Sequence, residues 1–405
     1  MRLRDDEKAW AAGEAGPARQ WAIRHQVAVG RYLGAEDLVP VTQAHIMADT
    51  ESLGVPGVEL LEHLAAQGAR VAVPTITDPR GTDLAAAARL KQQDWMVALE
   101  RRAIAAFQAM DVLMTDTCIN YQTIMPAVFG EHMAYGDTGV VIYTNSVLGA
   151  RSNFEGGPSA LSAGLTGRTP RYGFHLEQNR RATLAVRVQH TPDDLADWGT
   201  LGGIVGRLAG DYSQVPAIMG IDRSPSSDEM KHFGAALASY GSVGMFHMQG
   251  VTPEAEHMID PAMPMRATVT AQHLAAFRAA YADRAGRIDV VVFAAPQLSL
   301  VEMQEVTALL NGRRVRVPTL VVTSPQVRAD ADRMGLTARL EQAGAMVLSG
   351  MCFYQSYARE MAGANNWRGL ATNSAKLTNI LGGYGYAPAL MSMRECVDVA
   401  CGGAS

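Results

Sequence analysis

Short apolar runs alternate with helical patterns most clearly in the last third of the chain. Apolar runs predict strands at residues 288–293, 319–323 and 345–348. Between them, apolar residues recur at helical spacing over residues 300–310 and 326–340. Strands that alternate with helices favour right-handed parallel crossovers, so this part of the chain is predicted to form a doubly wound α/β domain.

The first part of the chain shows the same alternation. A helix is predicted over residues 57–68, followed by a strand at residues 71–74 and a second strand at residues 112–114. Between these strands the apolar residues recur every four positions and predict a long helix with one core-facing side; they are Trp95, Leu99, Ala103 and Phe107.

A helix at residues 228–239 and a strand at residues 243–247 are predicted in the middle of the chain. A chain of 405 residues exceeds the size at which one hydrophobic core keeps growing. We therefore predict a multi-domain α/β/α protein with doubly wound, mostly parallel sheets. Its three regions are expected at residues 1–215, 216–287 and 288–405.

Composition excludes several functional classes. Charged residues make up 19% of the chain and the formal net charge is −5, with no basic run, which argues against a nucleic acid partner. No apolar stretch approaches the roughly 20 residues that a membrane span requires. The first residues are too charged for a signal peptide, so a cytoplasmic location without membrane association is expected.

Three of the four cysteines are candidates for a metal centre. Cys118 and Cys352 follow apolar runs and are expected beyond the carboxyl ends of strands, where open α/β sheets place their ligand sites. Together with Cys396 they would supply three thiolates for an iron–sulfur cluster. A buried free cysteine also serves as a small apolar residue, so spacing alone leaves both interpretations open. Cys401, in the terminal tail, is expected to take no part.

The glycine-rich segment at residues 145–170 is a candidate anion site. Pro158 suits the start of a helix, and the glycines before it would let backbone amides approach a carboxylate or phosphate. Arg151 and Arg168 add positive charge on either side. The same glycines are also compatible with tight turns alone.

Other polar residues are candidates for acid, base or positioning roles. His45 flanks an apolar segment and could act as an acid or base, although most single histidines are structural. Asn373, Ser374 and Lys376 form a polar run for which helix capping is the alternative. The chain shows no Gly-x-Ser-x-Gly, His-Glu-x-x-His or Gly-x-Gly-x-x-Gly motif, which leaves metal-assisted chemistry on a small anion as the favoured class.

Several segments together resemble the large, catalytic chain of the aconitase X family, over nearly the full length. The most specific is the long block GEHMAYGDTGVVIYTNSVLGARSNFEGGPSALSAGLTGRTP. The others are QAHI, VPTITDPRGTD, DTCINY, GAALASYGSVGMFHMQGVTPEA, the Cys352 segment, TNSAK and ECVDVA.

The resemblance implies a hydro-lyase with an iron–sulfur cluster held by Cys118, Cys352 and Cys396, in which an open iron site assists loss of water from a hydroxy acid. Two family activities follow as expectations, dehydration of cis-3-hydroxy-L-proline and dehydration of mevalonate 5-phosphate. The proline substrate is favoured because only one anion cradle is evident. His45, Ser374 and Lys376 would be catalytic, and the substrate would be held by Arg151, Asn153, Ser159, Arg168 and Asn373.

The chain departs from the family pattern in one motif. Many members of the family that the chain resembles carry Gly-Cys/Ser-Pro-His at this point, after the strand that here ends at Phe293, whereas this chain has Ala294, Ala295, Pro296 and Gln297. Loss of the imidazole would alter substrate choice or remove a catalytic group. A degenerate small-anion-binding protein is therefore an alternative, and a zinc hydrolase is another.

The resemblance also implies a partner. The family needs a small swivelling domain, either fused or separate, and no segment is left over for it here. A separate small subunit is therefore expected to close over the site.

Overall fold

A computed structural model describes residues 1–282 and 286–403 of the chain. The first region carries a small parallel sheet between helices. Its helices are α1 (Asp5–Ala12), α2 (Pro17–Tyr32), α3 (Thr50–Ala66), α4 (Asp94–Ala109), α5 (Asn120–Thr123), α6 (Thr138–Ser146) and α7 (Gly157–Thr166). Its strands are β1 (Leu38–Pro40), β2 (Ala44–Ile46), β3 (Thr75–Thr77), β4 (Ala134–Tyr135) and β5 (Arg168–Pro170). Short 3-10 turns follow at Gly173–His175 and Glu177–Arg180.

The second region forms a parallel sheet in the order β8-β7-β6-β9. Its elements are β6 (Leu184–Val188), α8 (Leu195–Ala209), β7 (Pro216–Met219), α9 (Ser227–Gly241), β8 (His247–Met248), α10 (Ala255–Met258), β9 (Met265–Val269) and α11 (Ala271–Ala282). Because β6 pairs with β7, this sheet crosses the boundary predicted at residue 215. The structural division lies instead between β5 and β6.

The third region is a parallel sheet in the order β12-β11-β10-β13-β14. Its elements are β10 (Val290–Leu298), α12 (Leu300–Leu310), β11 (Thr319–Thr323), α13 (Pro325–Arg333), α14 (Leu336–Gln342), β12 (Met346–Ser349), α15 (Ala358–Asn365), β13 (Gly369–Thr372), α16 (Ala375–Ile380), β14 (Ala387–Leu390) and α17 (Met393–Ala400), with a 3-10 turn at Leu381–Tyr384. The apolar run of β10 is buried on both faces, as expected for a central parallel strand.

The predicted α/β class with mostly parallel sheets is confirmed, and the differences are local. The strand expected at residues 71–74 begins at Thr75, and residues 112–114 contribute one parallel bridge, between Ile76 and Leu113. The helix expected over residues 326–340 is two helices, because Gly335 adopts a left-handed conformation between them. Trp95 is 50% exposed and does not share the buried face of α4. Among the described helices, none combines the length and apolarity of a membrane span.

Candidate active site

The first and third regions meet where their parallel strands end. Arg80, which follows β3, forms a parallel bridge with Met351, which follows β12. The backbone N–H of Arg80 donates to Gly350 O at 2.9 Å, and the N–H of Cys352 donates to Arg80 O at 3.0 Å. Residues at the carboxyl ends of both sheets therefore share one site, which is the usual position of ligand sites in open parallel sheets.

Cys118 and Cys352 are placed in this junction. Both residues are buried, at 8% and 7% exposure. Burial raises the pKa of both thiols, and the neighbouring Cys118 raises the pKa of Cys352 further. The two thiols also share Asp78 and Lys376 as charged neighbours. We call Cys118, Cys352, Lys376, Asp78 and Asp137 the thiol site.

Lys376 brings a cation to the thiol site from the start of α16. Its Nζ lies 3.5 Å from Asp137 Oδ2 and 5.3 Å from the centre of the Tyr354 ring. Burial opposes the charge of Lys376, but Asp137 and the thiols outweigh burial and raise its pKa. Burial also raises the pKa of Asp78 well above its usual value, and Asp137 adds to this. The thiol site thus holds the Lys376 ammonium together with the Asp78 carboxyl group, which favours its protonated form.

His45 lies in β2, is fully buried, and contacts two residues next to or within the thiol site, Thr117 and Asp78. Its Nε2 is 3.0 Å from Thr117 O and 3.5 Å from Asp78 Oδ1. Because a carbonyl can only accept, Nε2 carries the proton and Nδ1 is the free acceptor. Nδ1 has no hydrogen-bond partner among the described residues. Burial lowers the pKa of His45, so the imidazole is neutral at neutral pH.

Ser374 and Asn373 belong to the same turn, between β13 and α16. The Ser374 hydroxyl donates to Ala295 O and accepts from Leu377 N, so it caps α16. These two hydrogen bonds match the helix-capping alternative for Ser374. Asn373 is buried just beyond β13, at the same end of the sheet.

The two predicted substrate-binding arginines lie away from the thiol site. Arg168 approaches Glu7 at 3.3 Å and stacks over Trp10 of the first helix, so its charge is already paired. The Arg151 guanidinium lies 3.5 Å from His175 O, and its backbone bridges to His132, ahead of β4, whereas Asp137 follows β4. It therefore lies near the opposite end of that strand, and neither guanidinium is part of the thiol site.

Asn153 and Ser159 also make other contacts. The Asn153 side chain accepts from Phe174 N and Tyr212 OH and donates to Tyr172 O, which uses both ends of its amide. The Ser159 hydroxyl lies 3.0 Å from His25 Nε2 of α2. What remains of the predicted cradle is the start of α7, which carries no side-chain cap and lies near Met47 O.

Cys396 is not brought to the other two cysteines. It is fully buried on the face of α17 that packs in the core, and its charged neighbours are Glu395, Arg278 and Asp194. Within residues 1–282 and 286–403, no three His, Cys, Asp or Glu side chains are grouped to hold a metal ion. Cys118 and Cys352 therefore share one site, and Cys396 is not brought to it as the third thiolate that the family resemblance implies.

Sequence reasoning missed the acidic residues of the site, and it identified Gln297 only as the residue in place of the family's histidine. Asp78 directly follows β3, and Asp137 caps α6 by accepting from Val140 N at 2.9 Å. Both carboxylates come just after short parallel strands, in TIT and MAYG. That position could have marked them as candidates for a site at the carboxyl ends of the strands. Gln297 lies within β10, where the polar residue in an apolar run marked a buried hydrogen-bonding role.

A second group of carboxyl groups lies between α3, α4 and the loop after Cys352. Glu100 Oε2 accepts from Thr50 Oγ1, which in turn accepts from Tyr357 OH. Burial raises the pKa of Glu100 to about 8 and that of Asp49 to about 6. Burial likewise raises the pKa of Glu51, which accepts from Tyr357 N, to about 7. Of the three, Glu100 favours the protonated form at neutral pH, because its pKa lies above 7.

Comparison with known proteins assigns all three regions. Family models match as the aconitase X first domain at residues 1–178, second domain at residues 182–279 and third domain at residues 288–402. These bounds agree with the division between β5 and β6.

Relatives with two different names are similar to the chain. The phosphomevalonate dehydratase large subunit of Thermococcus kodakarensis is 31% identical over 99% of this chain and 100% of that protein. The corresponding large subunit of Methanothermobacter thermautotrophicus is 35% identical over 92% and 91%. The cis-3-hydroxy-L-proline dehydratase of Pseudomonas aeruginosa is 34% identical over all of this chain and 70% of that protein.

A solved structure is also similar. The crystal structure of Thermococcus kodakaraensis aconitase X in its holo-form superposes with a TM-score of 0.89 at 31% identity, over 99% of this chain and 100% of that one.

Proposed function

The chain belongs to the aconitase X family, and on that premise we propose that it is a hydro-lyase that eliminates water from a small hydroxy acid, cis-3-hydroxy-L-proline being the favoured substrate. The carrying observation is the thiol site, where an ammonium, two carboxyl groups and two thiols meet at the carboxyl ends of two sheets. The named relatives in both groups are dehydratases.

Elimination needs one group to take the proton beside the carboxylate and another to protonate the departing hydroxyl. His45 Nδ1, which is unprotonated and has no hydrogen-bond partner within the described part of the chain, is proposed as the acceptor. Lys376 Nζ, kept charged by Asp137, is proposed as the donor. The carbon–hydrogen and carbon–oxygen bonds break, a carbon–carbon double bond forms, and the hydroxyl leaves as water.

Cys118 and Cys352 are proposed as the metal-anchoring pair, and Cys396 is no longer included. A metal bound there would supply Lewis-acid assistance to the departing hydroxyl. Because two thiols do not complete the expected ligand set, no step is assigned to a cluster.

The choice of substrate rests on charge. cis-3-Hydroxy-L-proline has one carboxylate, whereas mevalonate 5-phosphate has a carboxylate and a phosphate. Among the described residues, Lys376 is the cation of the thiol site, and the guanidinium of Arg80 at the same junction is paired with Asp116 at 3.2 Å. Arg151 and Arg168 contact other residues. One cation at the thiol site favours the substrate with one anionic group.

Mevalonate 5-phosphate dehydration is the second candidate. The chain matches the phosphomevalonate dehydratase large subunits over nearly their whole length but covers 70% of the Pseudomonas hydroxyproline enzyme. In a two-chain enzyme, the small subunit could supply the second anion site.

Both substrates should be incubated anaerobically with the chain and a coexpressed small subunit, and the dehydrated products quantified. Turnover of the hydroxyproline at a kcat/KM at least about tenfold above that of the phosphate ester supports the favoured substrate. The reverse ratio supports the second candidate. Binding of either compound without turnover would overturn the dehydratase proposal in favour of a binding protein.

A further inference from the structure

Gln297 lies where all three regions of the chain meet. Cys118 approaches from the first region, Lys231 of α9 from the second, and Met351 lies on the neighbouring loop of the third. Gln297 is 1% exposed. A polar side chain at this depth must be hydrogen-bonded, and each of its contacts is made to backbone.

The side-chain amide of Gln297 joins the two cysteine loops. Its Oε1 accepts from Cys118 N at 3.3 Å, and its Nε2 donates to Asp116 O at 3.2 Å and to Met351 O at 3.3 Å. Asp116 and Cys118 belong to one loop, and Met351 immediately precedes Cys352. The Gln297 backbone N–H also lies 3.5 Å from Cys118 Sγ. One residue thus contacts both loops and one of the sulfur atoms.

A buried ion pair holds Gln297 from the opposite side. The fully buried Lys231 Nζ donates to Gln297 O at 3.3 Å and pairs with Glu302 and with Asp228 at 2.9 Å. Glu302 also accepts from His232 Nε2 at 2.7 Å. Separating Lys231 from Glu302 would leave an uncompensated buried charge, which is costly. The pair therefore holds the Gln297 carbonyl in a fixed position.

We propose that Gln297 is a positioning residue, which fixes the separation of the Cys118 and Cys352 thiols and is itself held in place by the Lys231–Glu302 pair. The proposal rests on the proposed function only in taking the two thiols as a metal anchor. It concerns geometry, so it is testable without turnover.

The chemistry of the amide explains why other side chains would not substitute. Glutamine provides donors for two carbonyls and an acceptor for one N–H at the same time. Glutamate keeps the acceptor but loses both donors and adds a negative charge beside two backbone carbonyls. Leucine, of similar size, loses all three bonds and leaves buried backbone groups unpaired.

The test is a titration of the metal-free, reduced chain with Cd²⁺, followed through the thiolate-to-cadmium absorbance in the ultraviolet. Wild-type chain should bind Cd²⁺ with an absorbance that Cys118→Ser and Cys352→Ser each reduce. Gln297→Leu should weaken Cd²⁺ binding at least about tenfold, and Lys231→Met should act in the same direction.

Gln92→Leu is the matched control. Gln92 is a buried amide that also bridges two backbone carbonyls, Gly81 O at 2.9 Å and Ser356 O at 3.1 Å. It joins the Cys352 loop to the loop after β3 and does not contact the Cys118 loop. The Gln92→Leu variant should have a lower melting temperature, as Gln297→Leu should, but its Cd²⁺ affinity should stay within about twofold of wild type.

Should Gln297→Leu fail to fold, Gln297→Glu replaces it, with an expected loss of Cd²⁺ affinity of at least about tenfold. A folded Gln297 variant that binds Cd²⁺ as wild type does would overturn the positioning role, as would an equal loss of affinity in Gln92→Leu. If neither cysteine substitution changes the cadmium absorbance, the metal anchor itself is wrong and the positioning role falls with it. Absence of dehydration with intact cadmium behaviour would count only against the proposed function.

Discussion

At the scale of single residues, Lys376 is a buried cation whose charge depends on its neighbours. Burial alone would favour the neutral amine, but Asp137 and the two thiols raise the pKa. The ammonium is therefore retained inside a low-dielectric site, where a charge acts more strongly than in water. Such a group is suited to protonate a departing hydroxyl or to stabilise a developing negative charge.

Lys376→Met should lower kcat about 10²–10⁴-fold with a smaller effect on KM, the usual range for loss of a proton donor. Steady-state rates measured with the small subunit present check this. Lys376→Arg is the comparison, because it keeps the charge but cannot give up its proton. A Lys376→Met enzyme with a kcat close to wild type would remove Lys376 from the proton-transfer step.

Cys396 provides a second prediction at this scale. Because it is buried in α17 beside Arg278 and Asp194, Cys396→Ser should leave the iron and sulfide content of anaerobically purified protein unchanged. Cys118→Ser and Cys352→Ser should each abolish metal retention. Loss of metal in Cys396→Ser, with an unchanged melting temperature, would return Cys396 to the ligand set.

Sequence reasoning placed some residues of the site because they lie near strand ends. Cys118 and Cys352 follow predicted strands, and parallel strands bring their carboxyl ends together. Lys376 follows β13, a strand that the sequence analysis did not predict. Arg168 was misplaced because its partners, Glu7 and Trp10, belong to a distant segment whose docking no local pattern shows. Cys396 was misplaced because a cysteine ligand and a core cysteine have the same local sequence.

At the scale of elements, local chemistry explains where many helices begin. α9, α12 and α17 each start with a serine followed three residues later by a glutamate, and each forms a reciprocal capping box. The bounds predicted for α12 and β11 accordingly agree with the structure. Very short strands such as β4 and β8 carry too few residues to produce a period, and their pairing depends on tertiary context.

The contact between α8 and α9 depends on small residues. A Cβ added at Gly202 would lie 2.2 Å from Phe233 O, so the two helix backbones must separate to accept it. Gly202→Ala should therefore destabilise the protein by about 1–3 kcal/mol despite the better helix propensity of alanine. Gly363→Ala in α15, where an added Cβ would meet nothing within 4 Å beyond its own helix backbone, is the matched control and should be neutral or slightly stabilising. Urea unfolding of both variants distinguishes these outcomes.

The carboxyl group of Glu100, between α3 and α4, predicts a pH dependence of stability. Its pKa is about 8 in the folded chain because of burial, against about 4.3 for an unperturbed glutamate. Between these values the folded state binds the extra proton, so the free energy of unfolding falls as pH rises and levels off above pH 8.

Glu100→Gln removes this titration while keeping the size of the side chain. Relative to wild type, it should be more stable at pH 9 by on the order of 2 kcal/mol and nearly equal at pH 5. Urea unfolding at several pH values measures the difference. A constant offset between the two proteins across this range would show that Glu100 is ionised in the folded state.

At the scale of the whole molecule, the site is a product of assembly between regions. The thiol site joins the first and third sheets, and Lys231 of the second region reaches the same junction through Gln297. The sequence allowed the α/β class and the parallel third sheet to be predicted, because apolar strands alternate with helices there. The relative placement of the three sheets could not be predicted, because the contacts that set it, such as Arg80 with Gly350, join backbone groups of distant segments.

Assembly should extend to a second chain. Several relatives are named as large subunits, and this chain covers 70% of the length of the Pseudomonas hydroxyproline dehydratase, so we expect a small partner to complete the enzyme. Purified alone, the chain should bind metal through Cys118 and Cys352 but turn over substrate at no more than about 1% of the rate of the coexpressed pair, because closure over the site excludes water and completes the catalytic groups. Copurification on a tagged small subunit, followed by rates for the chain alone and for the pair, measures this. Full turnover by the chain alone would contradict the two-chain enzyme and place every catalytic group within these 405 residues.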